Sequence, residues 1–385
     1  MDIPSFDEVF RQIKVNFWLL GIPFHTSRIS LRFYIFFFSL TLTVLQEIGF
    51  FISESSTENF LTLTQLAPCT CIGILSIIKL LLLVYKRHRV FKLTDSLETT
   101  YHDIVNNVKK ANKIRQNFVF LKYLTKYYYI LNGVLISVYN FSSLIIILYH
   151  YIDTKEVSYI LPYSLYVPFS TDNCATWSAV YLHSISSGFI CVLYFTTVDA
   201  LYYIMSTHVY SHFTLLSSEI IDLDADNSYL LNDIVKRHQY ILKLSEDLED
   251  IFTAPNLFNV LVGSLEICAL GFNLTMGKWT QTPGVVLFLF SVLLQIFMMS
   301  VFGENLIRES RGVGEAAFLC KWYTMDQRSK KTILQLIQRS SKPQKLTAYK
   351  FSTISYESFI KIISRSWSYF TILKTVYKPP EIIYN

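Results

Sequence analysis

Seven long apolar segments follow one another along the chain, separated by polar stretches. A membrane-spanning helix needs roughly 20 consecutive apolar residues, and each segment reaches or approaches that length. Some are longer, which is typical of tilted helices or of helices that continue past the bilayer. The pattern predicts an all-α membrane protein with seven transmembrane helices. The predicted spans are residues 31–52, 60–85, 127–152, 175–206, 252–274, 283–303 and 355–377.

The composition agrees with this class, since 52% of the 385 residues are hydrophobic and only 16% are charged. That balance is too apolar for an ordinary soluble protein. The first 30 residues carry both acidic and basic side chains, and the apolar run after them is long enough to span. We therefore expect no cleavable signal peptide.

Lysine and arginine are unevenly shared among the connections between the spans. Of the 34 such residues, 27 lie in one alternate set of connections and 3 in the other. Because basic connections stay cytoplasmic, the N-terminus is predicted inside the cell and the C-terminus outside. This orientation is opposite to that of a G-protein-coupled receptor. It also explains the net charge of +5 without a nucleic-acid partner. The connections predicted to be cytoplasmic, which together hold the 27, are residues 1–32, 86–126, 207–251 and 304–350.

The predicted cytoplasmic connections are long and amphipathic. The stretch from Lys86 to Gln116 is predicted to continue the second span as a helix. Segment 207–251 is acidic and segment 304–350 is basic, so the two are predicted to pack together, within one chain or between subunits. The alternative is two separately solvated faces.

The predicted extracellular connections are short, except for 153–174. This connection holds two prolines and several aromatic residues between Leu161 and Phe169. Such a composition predicts an ordered lid packed on the helix ends. Asn273, followed by Leu274 and Thr275, is a candidate glycosylation site on the predicted outer side.

The last predicted span carries polar residues on one stripe. Lys361, Arg365, Ser368, Ile372 and Val376 recur at helical spacing, and the stripe turns from polar to apolar along its length. Charged residues are costly in hydrocarbon, so the stripe is predicted to face water or protein. A polar pore closed by an apolar constriction has this pattern. The alternative is a packed helix whose basic side chains reach the inner membrane surface.

Ionisable residues inside a span need a partner or a function. Lys79 and Asp199 lie at similar depth and are predicted to form an ion pair, whereas Glu266 has no obvious partner. His208 and His212 lie four residues apart, which would place two metal ligands on one helix face. Since a third ligand is missing, solvated or headgroup-level histidines are the favoured interpretation.

No motif of a hydrolase, metalloprotease or phosphate-binding loop is present, so we expect no enzyme activity, no metal and no cofactor. The outer halves of spans two, three, four and six are rich in aromatic and small hydroxyl residues. They predict an apolar pocket with a few hydroxyls, although plain helix packing uses the same residues. The candidate ligand-binding residues are Phe60, Thr64, Tyr139, Phe141, Ser142, Tyr181, His183, Ser184, Ser187 and Phe288.

The C-terminal third resembles the insect odorant receptor signature. Its matching positions are Gly303 to Leu306, Ser310, Ala316 and Ala317, Trp322 and Tyr323, Lys330 and Lys331, Arg339 to Pro343, Leu346 to Ala348, Lys350 and Phe351, Phe359, and Ser368 to Leu373. The lid's Pro162, Tyr163, Pro168 and Phe169 look like the family's second outer loop. Two positions depart from the pattern: Phe318 stands where Tyr is frequent, and Tyr349 where Gly is frequent.

The resemblance implies an odorant-gated, non-selective cation channel of four subunits in the plasma membrane of sensory neurons. The ligand would be a small volatile, mostly apolar molecule, and the last helix would line the pore, with Ser368, Ile372 and Val376 at the pore and gate. Cytoplasmic helix extensions would form a shared anchor. The family's common co-receptor carries a long insertion between spans four and five, which segment 207–251 lacks. The chain is therefore predicted to be the odour-tuned partner of that co-receptor, in contact with membrane lipid.

These inferences divide the chain in two. Residues 1–303 are predicted to hold helices one to six, the ligand pocket and the lid at 153–174. Residues 304–385 are predicted to hold the anchor segment and the pore-lining seventh helix. A gustatory-type channel of the same inverted topology remains an alternative, although it fits the motif at 368–371 less well. A G-protein-coupled receptor disagrees with the loop charges, and a transporter would show an internal repeat.

Overall fold

The computed structural model describes residues 3–23, 28–54, 60–277 and 282–377. Within them the chain forms nine α-helices, two short 3-10 helices and one hairpin. The helices are α1 (Phe6–Leu19), α2 (Leu31–Ser53), α3 (Phe60–Val105), α4 (Val108–Thr154), α5 (Cys174–Ile220), α6 (Leu231–Met276), α7 (Thr282–Leu319), α8 (Gln327–Ser340) and α9 (Tyr356–Val376). The 3-10 helices are Ser228–Leu230 and Trp322–Thr324, and the strands are β1 (Thr347–Ala348) and β2 (Ser352–Thr353).

The predicted spans correspond to helices α2 to α7 and α9. The first six are long and apolar enough to cross a membrane, and α9 adds a helix of 21 residues. The predicted continuation of the second span is correct only in part. Helix α3 ends at Val105, and the side chain of Asn107 then caps α4 by accepting from the backbone N–H of Lys110. The rest of that segment therefore belongs to α4.

The two ends of the helix bundle carry different elements, and we call them the loop end and the anchor end. The loop end holds the connection 155–173 between α4 and α5, together with the last turn of α9. The anchor end holds α8, the hairpin and the ends of α3 to α7 that lie away from this connection. Helix α5 runs through the centre and packs against α3, α4 and α7. Over its most apolar stretch 78% of its residues are buried, compared with 22% in the peripheral α2.

Helix α1 is amphipathic and was not among the predicted elements. Ser5 caps it by accepting a hydrogen bond from the backbone N–H of Glu8. Its apolar residues recur every three to four positions, and Phe6, Phe10 and Phe17 are fully buried beneath it. The helix packs against α3, α4 and α5, so the N-terminal segment closes the side of the anchor end.

The acidic segment 207–251 and the basic segment 304–350 pack together as predicted, for example where Glu249 accepts from the backbone N–H of Thr347, but the salt bridges of the acidic segment lie elsewhere. Glu219 accepts from Lys110 at 3.0 Å and from Arg237, and Asp250 accepts from Lys86 at 3.2 Å and from Arg89. Among the described residues, no salt bridge joins 207–251 to 304–350. The basic residues of α3 and α4 lie closer to the acidic ones because these helices flank α5 and α6 directly.

The hairpin is a small exception to the all-α prediction, and it sets the start of α9. Its strand β1 is held by Glu249, which accepts from the backbone N–H of Thr347 at 2.8 Å. A side chain at Gly303 would collide with the carbonyl of Ile354, so α7 can pass beneath this junction only with glycine. Ser355 and Ser358 then form a capping box at the first turn of α9.

Candidate functional site

A first cavity of about 60 Å³ lies within the loop half of the bundle; we call it the deep cavity. Its walls come from α2, α3, α4, α5 and α7, so the first span contributes in addition to the four that were predicted. The lining is mostly apolar, as expected for a site that takes small organic ligands. Gly73 and Gly188 line it, and a side chain at either would lie 2.8 Å from a neighbouring atom.

A second cavity of about 410 Å³ lies nearer the loop end; we call it the vestibule. It is bounded by α3, α4, α6 and α7 and by residues 160–164 of the connection between α4 and α5. Cys69, Tyr139 and Tyr163 line both cavities. These three side chains therefore form the partition between the vestibule and the deep cavity.

The partition is fastened through Tyr163. This side chain is buried, and its hydroxyl donates to Asn140 Oδ1 at 2.8 Å. The Tyr181 hydroxyl donates to the carbonyl of the same Asn140, also at 2.8 Å. Because Gly188 has no side chain, the Tyr163 hydroxyl can sit directly against α5.

The predicted lid is ordered along its first half. Trp177 donates its indole N–H to the carbonyl of Ile160 at 3.2 Å, and the backbone N–H of Tyr166 donates to the carbonyl of Gln46 at 3.0 Å. The connection is thereby tied to α5 on one side and to α2 on the other. Phe169 is exposed, so the predicted roof over 160–169 is closed by its first residues and not by its last.

Four of the predicted ligand residues line these cavities. Tyr139, Ser187 and Phe288 line the deep cavity, and Tyr139 and Ser142 line the vestibule. The rings of Tyr139 and Phe288 meet edge to face with centroids 5.6 Å apart. This group supplies an aromatic wall and three hydroxyls.

The other six lie outside both linings. Phe141 is exposed on the outer surface of α4. The Tyr181 hydroxyl is used by Asn140, and the imidazole of His183 lies 3.1 Å from the Thr43 hydroxyl. Ser184 is fully buried within α5. The two remaining residues lie in the first turns of α3, and they are Phe60 and Thr64.

Sequence reasoning missed two polar residues of the deep cavity. Glu47 on α2 is 4% exposed and lines the cavity, and a carboxyl inside a predicted span was a signal available in the sequence. Asn132 on α4 also lines it, and its Oδ1 accepts from the Ser291 hydroxyl at 3.1 Å. Nothing in the local sequence distinguishes Asn132 from an ordinary packing residue.

The predicted ion pair exists and lies at the centre of a buried network, which we call the hub. Asp199 accepts from Lys79 at 2.8 Å, from the Tyr128 hydroxyl at 2.9 Å and from Gln295 at 3.0 Å. Lys79 also sits 3.9 Å above the ring centroid of Phe195. The hub joins α3, α4, α5 and α7 below the deep cavity. Because both members of the Lys79–Asp199 pair have hydrogen-bond partners within the protein, the structural role is favoured for this pair.

Glu266 on α6 differs from the hub, as the sequence indicated. Its side chain is buried, and neither carboxyl oxygen has a hydrogen-bond partner among the described residues. The solvated interpretation is wrong for His208, which is buried, whereas His212 is half-buried. His208 is buried among the rings of Phe6, Phe10, Tyr101 and Phe118, and His212 lies 3.2 Å from the Thr100 hydroxyl.

Asn273 is buried, and its amide donates to the carbonyl of Thr64 at 2.8 Å. This position argues against a glycan on the folded chain, because a glycosylated side chain has to reach solvent. Asn273 instead lines the vestibule. Across the part of the chain that the structure describes, no group of three or more metal-ligating side chains comes together.

Helix α9 packs one face on α6 and α7 and leaves the rest of its circumference open. The packed face recurs every four residues, at Ser358, Ile362, Ser366 and Phe370. The predicted gate residues lie off this face, with Ile372 60% and Val376 76% exposed in the single chain. Ser368 is exposed as well. Large apolar side chains in such a position are expected to contact lipid or another protein surface.

The last turn of α9 is held by three aromatic rings, which we call the clamp. Tyr377 stacks on Phe60 with centroids 5.5 Å apart and meets Phe272 edge to face at 5.4 Å. Phe60 and Phe272 also meet at 5.8 Å. These rings belong to a small cluster that is separate from the main core. Phe60, a predicted ligand residue, therefore positions the end of α9.

Comparisons with known proteins agree with this architecture. The family model described as 7tm Odorant receptor matches residues 59–366. Odorant receptor 67c of Drosophila melanogaster is 25% identical over 377 residues, covering 92% of this chain and 90% of its own. Odorant receptor 85b of the same species is 31% identical over 237 residues, covering 59% and 60%.

The odorant receptor coreceptor of Aedes aegypti is 28% identical over 141 residues, which cover 36% of this chain and 30% of the coreceptor. Among solved structures, the insect olfactory receptor OR5 from Machilis hrabei in complex with eugenol superimposes with a TM-score of 0.79 at 16% identity, covering 97% of this chain and 98% of that one. At that identity the likeness shows a common fold.

Proposed function

The chain belongs to the 7tm odorant receptor family, and from that premise we propose that it is an odour-tuned subunit of a ligand-gated, non-selective cation channel. The observation that carries the proposal is the pair of adjoining cavities beneath the connection between α4 and α5. Their apolar walls and few hydroxyls suit a small volatile ligand. The pore is lined by α9, whose exposed stripe includes Ser368, Ile372 and Val376.

Ligand binding opens such a channel only when the open state binds the ligand more tightly than the closed state. The geometry supports a short structural path from the ligand cavities to the end of α9. Asn273 lines the vestibule, and its neighbour Phe272 belongs to the clamp on α9. A ligand that shifts α6 at this level changes the support of the last turn of α9. Residues 1–303 would then sense the ligand, while 304–385 carry the anchor and the gate.

The proposed orientation has the N-terminus in the cytoplasm and the C-terminus outside the cell, in the plasma membrane of a sensory neuron. The uneven sharing of Lys and Arg among the connections supports it. The proposed partner is the odorant co-receptor, in a heterotetramer surrounded by lipid. The match to the mosquito coreceptor covers only part of either chain, and the link between α5 and α6 is short. Both observations support the role of tuned subunit.

The proposal is tested by whole-cell recording from cells that express this chain, a co-receptor, or both, during application of a panel of volatile compounds. We expect an odour-evoked cation current that depends on this chain and requires the co-receptor. Tags at the two termini test the orientation, with the C-terminal tag labelled on intact cells and the N-terminal tag only after permeabilisation. Robust current from this chain alone would contradict the partnership, and reversed labelling would contradict the orientation.

The same recordings test the pore. Rings of branched apolar side chains block ions by excluding water, so Ile372→Ser and Val376→Ser should raise basal current or alter ion selectivity. The change should be partial, because this subunit supplies only part of a mixed ring. Unaltered basal current, selectivity and evoked current in both variants would remove these residues from the gate.

A further inference from the structure

Glu47 occupies an unusual position for a carboxyl group. It lies on α2 with Leu40, Thr43 and Val44, and the spacing of these residues places all four on one helix face, which lines the deep cavity. The carboxyl is buried, and no lysine or arginine pairs with it in the described part of the chain. Burying a carboxyl without a cation costs free energy, and no salt bridge of Glu47 offsets this cost in the described part of the chain.

Most other polar groups that line this cavity are already engaged. The Thr43 hydroxyl lies 3.1 Å from His183, the Asn132 amide binds Tyr128 and Ser291, and the Tyr163 hydroxyl donates to Asn140 at 2.8 Å. These bonds hold the walls together and leave those groups little capacity for a ligand. Hydrogen bonds to a ligand in this cavity therefore come from its other polar groups.

Two of these polar groups, the Glu47 carboxyl and the Ser187 hydroxyl, have unused hydrogen-bonding capacity. The Glu47 carboxyl has Thr70 as its hydrogen-bonding neighbour, and its two oxygens can accept further hydrogen bonds. Ser187, on α5, is 1% exposed, and its hydroxyl has no partner among the described residues. Glu47 and Ser187 both line the deep cavity, so their oxygens are available to a molecule that enters it.

We infer that Glu47 is the specificity-determining residue of the site and that the deep cavity takes the hydrogen-bond-donor end of the ligand, a hydroxyl or an ammonium group. Ser187 assists from α5. The deep cavity, at about 60 Å³, has room for such a polar end and little more. The hydrocarbon part of the ligand extends past Tyr139 and Tyr163 into the vestibule. This inference rests on the proposed function and narrows the ligand to small alcohols, phenols or amines.

The test uses this chain together with the co-receptor and three probes of matched skeleton: hexanol, hexylamine and hexyl methyl ether. The ether keeps an oxygen but has no donor hydrogen. A hydrogen bond to a carboxylate that only two of the probes can make should lower their half-maximal concentrations by about tenfold or more relative to the ether. An ether as potent as the alcohol and the amine in the wild-type channel would overturn the inference.

Two substitutions separate the two donor chemistries. Glu47→Leu removes the acceptor, so the half-maximal concentrations of hexanol and hexylamine should rise to near that of the ether. Glu47→Gln keeps an acceptor and removes the charge, so it should reduce the response to hexylamine far more than the response to hexanol, because charge-assisted bonds are roughly twice as strong as neutral ones. An unchanged probe ranking in both variants would contradict the role of Glu47.

Controls keep the outcome interpretable. Glu156→Gln makes the same exchange at an exposed carboxyl of the connection between α4 and α5, and it should leave the ranking unaltered. If the Glu47 variants fail to reach the cell surface, Ser187→Ala should still reduce the donor advantage several-fold, and no reduction would count against the inference. Current evoked by other panel compounds while all three probes are silent would overturn this inference alone. Silence towards the whole panel would overturn the proposed function as well.

Discussion

At the anchor end of the bundle, half-buried carboxylates form salt bridges with lysine and arginine, whereas towards the loop end two buried carboxyls, Glu47 and Glu266, form none among the described residues. The anchor end pairs Glu219 with Lys110 and Asp250 with Lys86, and just beyond it the hub surrounds Asp199 with three donors. The loop end contains two cavities, the unpaired Glu266 and a Ser187 hydroxyl without a partner.

The difference shows how one set of long helices serves two purposes. Salt bridges between helices, together with the hub, favour one arrangement at and near the anchor end. The deep cavity, the vestibule and the buried carboxyls without a salt bridge lower the local stability towards the loop end, which is where ligand contact and gate movement are proposed. In the proposed mechanism, a displacement at the cavities reaches α9 through α6 and α7, the two helices that pack against it.

The largest expected effect comes from breaking the hub. Asp199→Asn leaves the Lys79 ammonium buried without an anion, and removal of one partner of a buried pair typically costs about 3–5 kcal/mol. We expect loss of most surface expression and a much lower melting temperature in detergent, measured by fluorescence-detected size-exclusion chromatography.

The matched exchange in the loop half is Glu266→Gln. It removes a buried carboxyl that has no partner among the described residues, so stability should be unchanged or higher. The double variant Lys79→Met with Asp199→Leu removes both charges and should recover part of what Asp199→Asn loses. Equal destabilisation by Asp199→Asn and Glu266→Gln would remove the contrast between the two halves.

A smaller effect is expected at the clamp. Tyr377→Ala removes two aromatic contacts, each worth about 0.5–1.5 kcal/mol, from the end of α9. If the clamp holds the closed gate, the closed-to-open equilibrium shifts by roughly tenfold, and basal current in the channel with the co-receptor should rise. Tyr377→Phe keeps the ring and should behave like the wild type. A rise in both variants, or in neither, would show that ring packing at this position does not hold the gate.

The smallest effect is expected at the hairpin that precedes α9. Tyr349 has a φ of 48° and Lys350 a φ of 62°, and a left-handed conformation costs a non-glycine residue about 1 kcal/mol or more. Tyr349→Gly relieves that cost, although glycine also loosens the unfolded chain. We expect a melting temperature equal to or slightly above the wild type. Tyr349→Ala keeps the Cβ and should not gain, and a clear loss in the glycine variant would show that the ring itself supports the hairpin.

Several features could be predicted from the sequence because they depend on local pattern. Apolar run length located the spans, since a bilayer requires that length whatever the neighbours are. The shared depth of Lys79 and Asp199 predicted their pairing, because a buried charge in a membrane needs a partner. The composition of 153–174 predicted an ordered connection, and Tyr163 and Trp177 show how its order is achieved.

Other features required the tertiary structure. Side-chain direction separates Tyr139, which lines both cavities, from Phe141, which is exposed two residues later. Helical rotation of 100° per residue decides this, and the sequence does not say which neighbour lies on each face. Phe60 and Tyr377 are far apart along the chain, so their contact exists only because α3 begins at the level where α9 ends.

The sequence by itself determined the class of the protein, the number and order of its spans and the uneven charges of its connections, because each depends on how a segment partitions between water and lipid. Only the tertiary structure decided which side chains meet. It brought Glu47 into the deep cavity, buried His208 beneath α1 and placed Phe60 in the clamp. These outcomes depend on packing between segments far apart in sequence, where small differences in helix rotation and position select one neighbour over another.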